Sequence, residues 1–102
     1  MESAYIEQLV NKYHVKCGFQ MRYIDLVSEV GELGKSILNA SRYGREALQE
    51  TSEIQMELGD CLFSLLALCA ELRIDSEQAI MTAIEKYEKR YYNTGKISSD
   101  SR

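Results

Sequence analysis

Two pairs of acidic residues are the first candidates for chemistry in this chain of 102 residues. Glu29-Val30-Gly31-Glu32 and Glu57-Leu58-Gly59-Asp60 each set two carboxylates three positions apart. On a helix, side chains at i and i+3 share a face with Cβ atoms ~5–6 Å apart, so each pair can converge on one cation. Each pair adjoins residues with core periodicity: Val27, Val30 and Leu33 for the first, Leu58, Cys61 and Leu62 for the second. Four carboxylates at the margin of an apolar interior repel one another and lose hydration, and something positive is needed to hold them there. An all-oxygen donor set suits Mg²⁺, with Mn²⁺ as a substitute, because Mg²⁺ keeps several waters and shares itself with substrate phosphates. Zinc fits less well, since the one histidine, His14, lies in another segment. Spacing alone leaves a second reading open, in which both pairs are solvated helix faces.

The elements that must position these acids are all helical by periodicity. The chain has no proline, and Val, Ile and Thr never cluster as a strand requires. The pattern predicts an all-α, four-helix domain over residues 1–92 followed by a polar tail, 93–102. A first helix covers about Ala4 to Val15 and ends before Gly18. The second runs from Phe19 to about Arg42, with Gly31 and Gly34 inside it; such glycines mark close packing or a ligand. Ser52 with Gln55 three residues on has the form of a capping box, and a third helix follows to Leu72. Asp75 and Gln78 repeat that signal ahead of a fourth helix ending near Tyr92. The run Cys61 to Ala70 is apolar nearly all round, which a small four-helix monomer cannot use, and it predicts burial against another copy of the chain.

Net charge is −4, from 16 acidic and 12 basic residues, which disfavours nucleic acid or an anionic membrane as the main partner. No apolar run approaches the ~20 residues that span a bilayer, and Met1 to Tyr5 lacks the regions of a signal peptide, so a cytoplasmic location is expected. Three cysteines, Cys17, Cys61 and Cys69, fit that compartment as buried free thiols.

Ser28-Glu29-Val30-Gly31-Glu32-Leu33 resembles the first signature of the MazG-like nucleotide pyrophosphohydrolases, and Glu57-Leu58-Gly59-Asp60-Cys61-Leu62-Phe63 resembles the second. Leu65-Leu66-Ala67-Leu68, Ile74-Asp75 and Lys86-Tyr87-Glu88-Lys89-Arg90-Tyr91 follow in the family's order, so the likeness covers about Tyr23 to Tyr92. The resemblance implies a MazG-like fold that forms intersubunit helical bundles as a homodimer or a dimer of dimers. It implies hydrolysis of a nucleoside or deoxynucleoside triphosphate to monophosphate and pyrophosphate, and it assigns Glu29, Glu32, Glu57 and Asp60 to Mg²⁺. Glu29 or Glu32 would then orient or deprotonate the attacking water. Lys86 and Arg90, together with Lys35 and Lys96, are the candidates for phosphate. Some relatives have Lys and Asn four apart in the last helix, where this chain has Lys86 and Arg90. There is no tryptophan to stack on a base, so Phe19, Tyr23 or Tyr43 would serve. Two rival readings are a non-catalytic helical dimerisation module and a phosphoribosyl-ATP pyrophosphatase-like enzyme. Tyr87, in register with Ile80, Ala83, Ile84 and Tyr91, is expected to pack as core or to line the pocket.

Overall fold

The computed structural model describes residues 3–12, 17–48 and 51–95. They form four helices in the order α1 (Ser3–Lys12), α2 (Phe19–Ala40), α3 (Ser52–Leu72) and α4 (Ser76–Thr94), with no strand among the described residues. The all-α expectation therefore holds, and the ends differ in ways that local chemistry explains. Helix α2 stops at Ala40 rather than Arg42, because Ser41 Oγ donates to the Ile37 carbonyl at 2.8 Å and accepts from Gly44 N–H at 3.1 Å. That turn sends Arg42, Tyr43 and Gly44 into the left-handed region, with φ of 49°, 61° and 82°. The cap position of α3 falls to Thr51 rather than Ser52, and Thr51 makes no side-chain cap bond. The Asp75 signal is realised, its carboxylate accepting from Glu77 and Gln78 N–H at 2.9 and 3.2 Å. Helix α4 outruns its expected end by two residues and closes on Gly95, whose φ of 74° lets its N–H reach the Tyr91 carbonyl at 2.7 Å. The remainder of the expected tail, 96–102, lies outside the described residues.

Helix α3 is central and packs on two neighbours in opposite ways. Against α1 the contact is dry: Ile6, Val10 and Ala67 are buried together, with Leu9, Phe63 and Leu66 around them. Against α2 the contact is polar. Residues 22, 25, 29, 32 and 36 on α2 and 53, 57, 60, 64, 67 and 71 on α3 recur at steps of three and four, the positions that carry the apolar seam of an ordinary helix pair. Here they are Arg22, Asp25, Glu29, Glu32 and Ser36 facing Glu53, Glu57, Asp60, Ser64, Ala67 and Glu71. Arg22 Nε meets Glu71 Oε2 at 3.3 Å, Ser64 Oγ donates to Asp25 Oδ2 at 2.9 Å, and Ser36 Oγ donates to Glu53 Oε1 at 3.0 Å. The rising order 22, 25, 36 against the falling order 71, 64, 53 makes the pair antiparallel.

Apolar residues consequently lie on the outside of this hairpin: Ile24, Val27, Val30, Leu58, Leu62 and Leu65 are all exposed. Helix α4 makes only glancing contact with the rest and buries none of its residues, with Ile80, Met81 and Ile84 open to solvent. Tyr87 is likewise exposed, so of the two places expected for it, core or pocket wall, the core is not where it lies among the described residues. Its ring is instead flanked by Lys86 Nζ at 4.9 Å and the Arg90 guanidinium at 5.7 Å from the centroid. The cysteines are free, and burial reaches Cys61 in full and Cys69 in part, whereas Cys17 is exposed. No described helix is long and apolar enough to cross a membrane.

Candidate metal centre

Midway along the polar seam, carboxylate oxygens of Glu29, Glu57 and Asp60 lie within 4.8 Å of one another. Glu29 comes from α2; Glu57 and Asp60, one helical step apart, come from α3. Glu29 and Glu57 are half-buried and Asp60 is exposed, so the group opens to solvent on the Asp60 side. The fourth sequence candidate, Glu32, is exposed and does not join the three. It stands close enough for its charge to be felt at both Glu29 and Glu57.

Partial burial raises the Glu29 carboxyl above the ordinary carboxylate range, and the charges of Asp60, Asp25, Glu57 and Glu32 raise it further. Burial also raises Glu57, with Asp60, Glu32 and Glu53 adding to it. The buried Cys61 thiol beside them is pushed up by burial and then by Glu29, Asp60 and Glu57, which keeps it protonated and makes it a poor soft-metal ligand. Mutual repulsion in a half-buried place, with oxygen donors only, is the environment that a hard divalent cation relieves. The donor set therefore fits Mg²⁺ or Mn²⁺.

The remaining sequence candidates are scattered. Lys35 is exposed on α2, one turn past Glu32. Lys86 and Arg90 sit together on α4 around Tyr87, and the single chain gives them no described contact with the acids. Lys96 lies outside the described residues. Phe19, Tyr23 and Tyr43 are all exposed, so none belongs to the core of the single chain. A Cβ added at Gly31, Gly34 or Gly59 would meet nothing within 4 Å, so close packing within the described chain is not what these glycines serve.

Sequence reasoning missed the polar neighbours of the acids. Arg22 and Ser64 are 8 % and 3 % exposed, and the Glu71 side chain only 3 %. Glu71 Oε1 also accepts from Gly18 N–H at 2.7 Å, and Arg22 Nη1 approaches Asp25 Oδ2 at 3.4 Å. The available signal was the spacing of polar residues by three and four along both helices.

Comparison with known families matches residues 20–94 to the MazG nucleotide pyrophosphohydrolase domain. The chain belongs to that family. The match takes in α2 from its second residue, all of α3 with the acids of both helices, and α4 to its end. This family of nucleotide pyrophosphohydrolases is a family of hydrolases, and the helical architecture and acidic cluster described above agree with membership. No curated protein and no solved structure matches the chain.

Proposed function

We propose that this chain hydrolyses a ribo- or deoxyribonucleoside triphosphate to the monophosphate and pyrophosphate, with Mg²⁺ held by Glu29, Glu57 and Asp60. The observation that carries the reading is the convergence of those three carboxylates, from two helices, within 4.8 Å. When bound, Mg²⁺ offsets triphosphate charge and lowers the pKa of a coordinated water. Carboxylates that ligate the ion are not free to take a proton. Glu32, in the next turn and outside the group of three, is the residue whose Oε atoms accept the proton of the water that attacks the α-phosphorus. Lys86 and Arg90 hold phosphate oxygens, the guanidinium in a fork and the ammonium as a point charge, with Lys35 and Lys96 as further cationic contacts. Phe19, Tyr23 or Tyr43 offers a ring face to the base.

The single chain leaves the apolar flank of the α2–α3 hairpin and the apolar face of α4 uncovered. Solvation of so much apolar surface is unfavourable, and a second copy covers it most economically, since an isologous contact buries the same patch on both subunits. We therefore assign a homodimer or dimer of dimers. The net charge of −4 disfavours nucleic acid or an anionic membrane as a partner, and we place the protein in the cytoplasm as part of the same proposal. A protein that sediments as a folded monomer at micromolar concentration contradicts the assembly.

The test of the activity is a screen of purified protein against ribo- and deoxyribonucleoside triphosphates, with and without Mg²⁺, reading both products. Monophosphate and pyrophosphate in equal amounts, dependent on Mg²⁺, support the reading. Diphosphate with orthophosphate, or no product from any triphosphate, refutes it.

A further inference from the structure

One turn below the candidate metal centre, Asp25 Oδ2 accepts from Ser64 Oγ at 2.9 Å and faces Arg22 Nη1 at 3.4 Å. Arg22 in turn sets its Nε on Glu71, whose side chain is 3 % exposed and whose other oxygen takes Gly18 N–H at 2.7 Å. Among the described residues the charges in this chain of contacts do not cancel. One guanidinium stands between two carboxylates, and the deeper of them, Glu71, has the greater need of it, because desolvation of an ion rises with burial. Asp25, with its side chain 46 % exposed, is left with negative charge in excess.

That charge adds to the repulsion at Glu29, after the larger effect of Asp60. Asp25 and Glu29 are at i and i+4 on one helix, a like-charge pairing that is unfavourable, and the charge of Asp25 is felt at Glu29. A carboxylate with 46 % exposure could turn into water to escape. Instead two donors from two helices hold it. A seam that only needed fastening would be served by an amide at this position, which accepts from Ser64 equally well and adds no charge beside three other acids.

We infer that Asp25 is a positioning residue of the cation site, accepting a hydrogen bond from water on the hydrated ion and fixed for that task by Ser64 and Arg22. The inference rests on the reading that Glu29, Glu57 and Asp60 hold a divalent cation. Mg²⁺ and Mn²⁺ bound to few carboxylates retain water, and acceptors for that water orient the sphere and raise affinity. Asp25 does not ligate the ion; it acts through that water.

The experiment is a Mn²⁺ titration of the metal-free full chain, followed by the electron paramagnetic resonance of the free ion, for wild type, Asp25→Asn, Ser64→Ala and Asp60→Asn. Melting temperature without metal is read alongside. For Asp25→Asn, Mn²⁺ affinity is expected to fall roughly ten- to a hundredfold, the range for outer-shell partners of a metal. Its metal-free melting temperature is expected to stay level or rise, a combination that a merely structural fastening does not produce. Ser64→Ala keeps the charge and loses one anchor, so a smaller, several-fold loss is expected; it decides the matter if Asp25→Asn does not fold. Wild-type Mn²⁺ affinity in the folded Asp25→Asn protein overturns the inference and leaves the three-acid site standing. If wild type itself binds no Mn²⁺, or binds it no better than Asp60→Asn, the site fails and the inference with it.

Discussion

Helix α3 meets α1 and α2 along two flanks that follow opposite rules. On the α1 flank, Ile6, Val10 and Ala67 exclude water, and the contact has no evident use beyond holding the fold together. On the α2 flank, the positions that would normally be leucine and valine are Arg22, Asp25, Glu29, Ser36, Glu53, Glu57, Asp60, Ser64 and Glu71. Buried ion pairs and hydrogen bonds contribute little net stability compared with well-packed apolar residues. The α2 flank is thus a poor way to join two helices and a good way to bring acids from both to one place. The difference teaches where stability and chemistry are each located: α1 supplies the dry contact, and on the proposed reading the outer apolar surfaces join a second copy and the seam holds a cation.

The sharpest way to break this contrast is to remove one charge from the seam. Asp60→Asn is expected to lower kcat/KM by on the order of a thousandfold, the equivalent of about 4 kcal/mol of transition-state stabilisation. The metal-free fold should be unharmed or slightly firmer, because one of several mutually repelling acids is gone. Steady-state kinetics at limiting Mg²⁺ with a thermal melt check both halves.

The dry flank should respond in the opposite sense. Ile6→Ala is expected to cost about 2–5 kcal/mol of stability by opening a cavity. Ser36→Ala, on the wet flank, should cost only about 1 kcal/mol, since the exposed Glu53 it releases can turn to water. Urea unfolding of the two variants at saturating Mg²⁺ measures the ratio, and equal costs would remove the contrast.

A third test asks whether α4 serves the chemistry of the seam. Lys86→Ala and Arg90→Ala are each expected to lose about 1.5–3 kcal/mol of transition-state binding, roughly ten- to a hundredfold in kcat/KM. Helicity by circular dichroism should be unchanged, alanine being the best helix former. Wild-type rates in both variants would move phosphate contact to Lys35 and Lys96.

The smallest effect is in pH. In the metal-free folded chain Glu29 and Glu57 titrate above the ordinary carboxylate range, first because of burial and then because of neighbouring acids. Between the ordinary and the raised values the folded chain binds more protons than the unfolded one, so this pair's contribution to stability falls as pH rises through that window. Metal-free Glu57→Gln should show a shallower fall in melting temperature across it than wild type. Saturating Mg²⁺ should flatten the wild-type slope, because the ion replaces the protons.

Both acid pairs were legible in the sequence because each depends only on the geometry of its own helix, and α3 was read from end to end. Legibility ended where two helices had to be set against each other. Glu29 meets Glu57 and Asp60 across a register of α2 on α3 that is fixed by Arg22 with Glu71, Asp25 with Ser64 and Ser36 with Glu53. Those partners lie far apart in sequence and look like ordinary surface charge in a chain of which 27 % is charged. The exposure of Tyr87 was illegible for a related reason, since periodicity shows which side of α4 is apolar and not whether anything covers it. The end of α2 was overrun because a short turn built on one serine hydroxyl leaves no periodic trace.

The most direct measurement is a crystal structure grown with Mn²⁺ and a triphosphate analogue that resists hydrolysis between the α- and β-phosphates, with anomalous diffraction used to locate the ion. The expected result is an anomalous peak bounded by carboxylate oxygens of Glu29, Glu57 and Asp60, with phosphate oxygens completing its sphere. A peak held by other residues, or a bound analogue with no ion among these three acids, would contradict the assignment of the α2–α3 seam to metal-assisted hydrolysis.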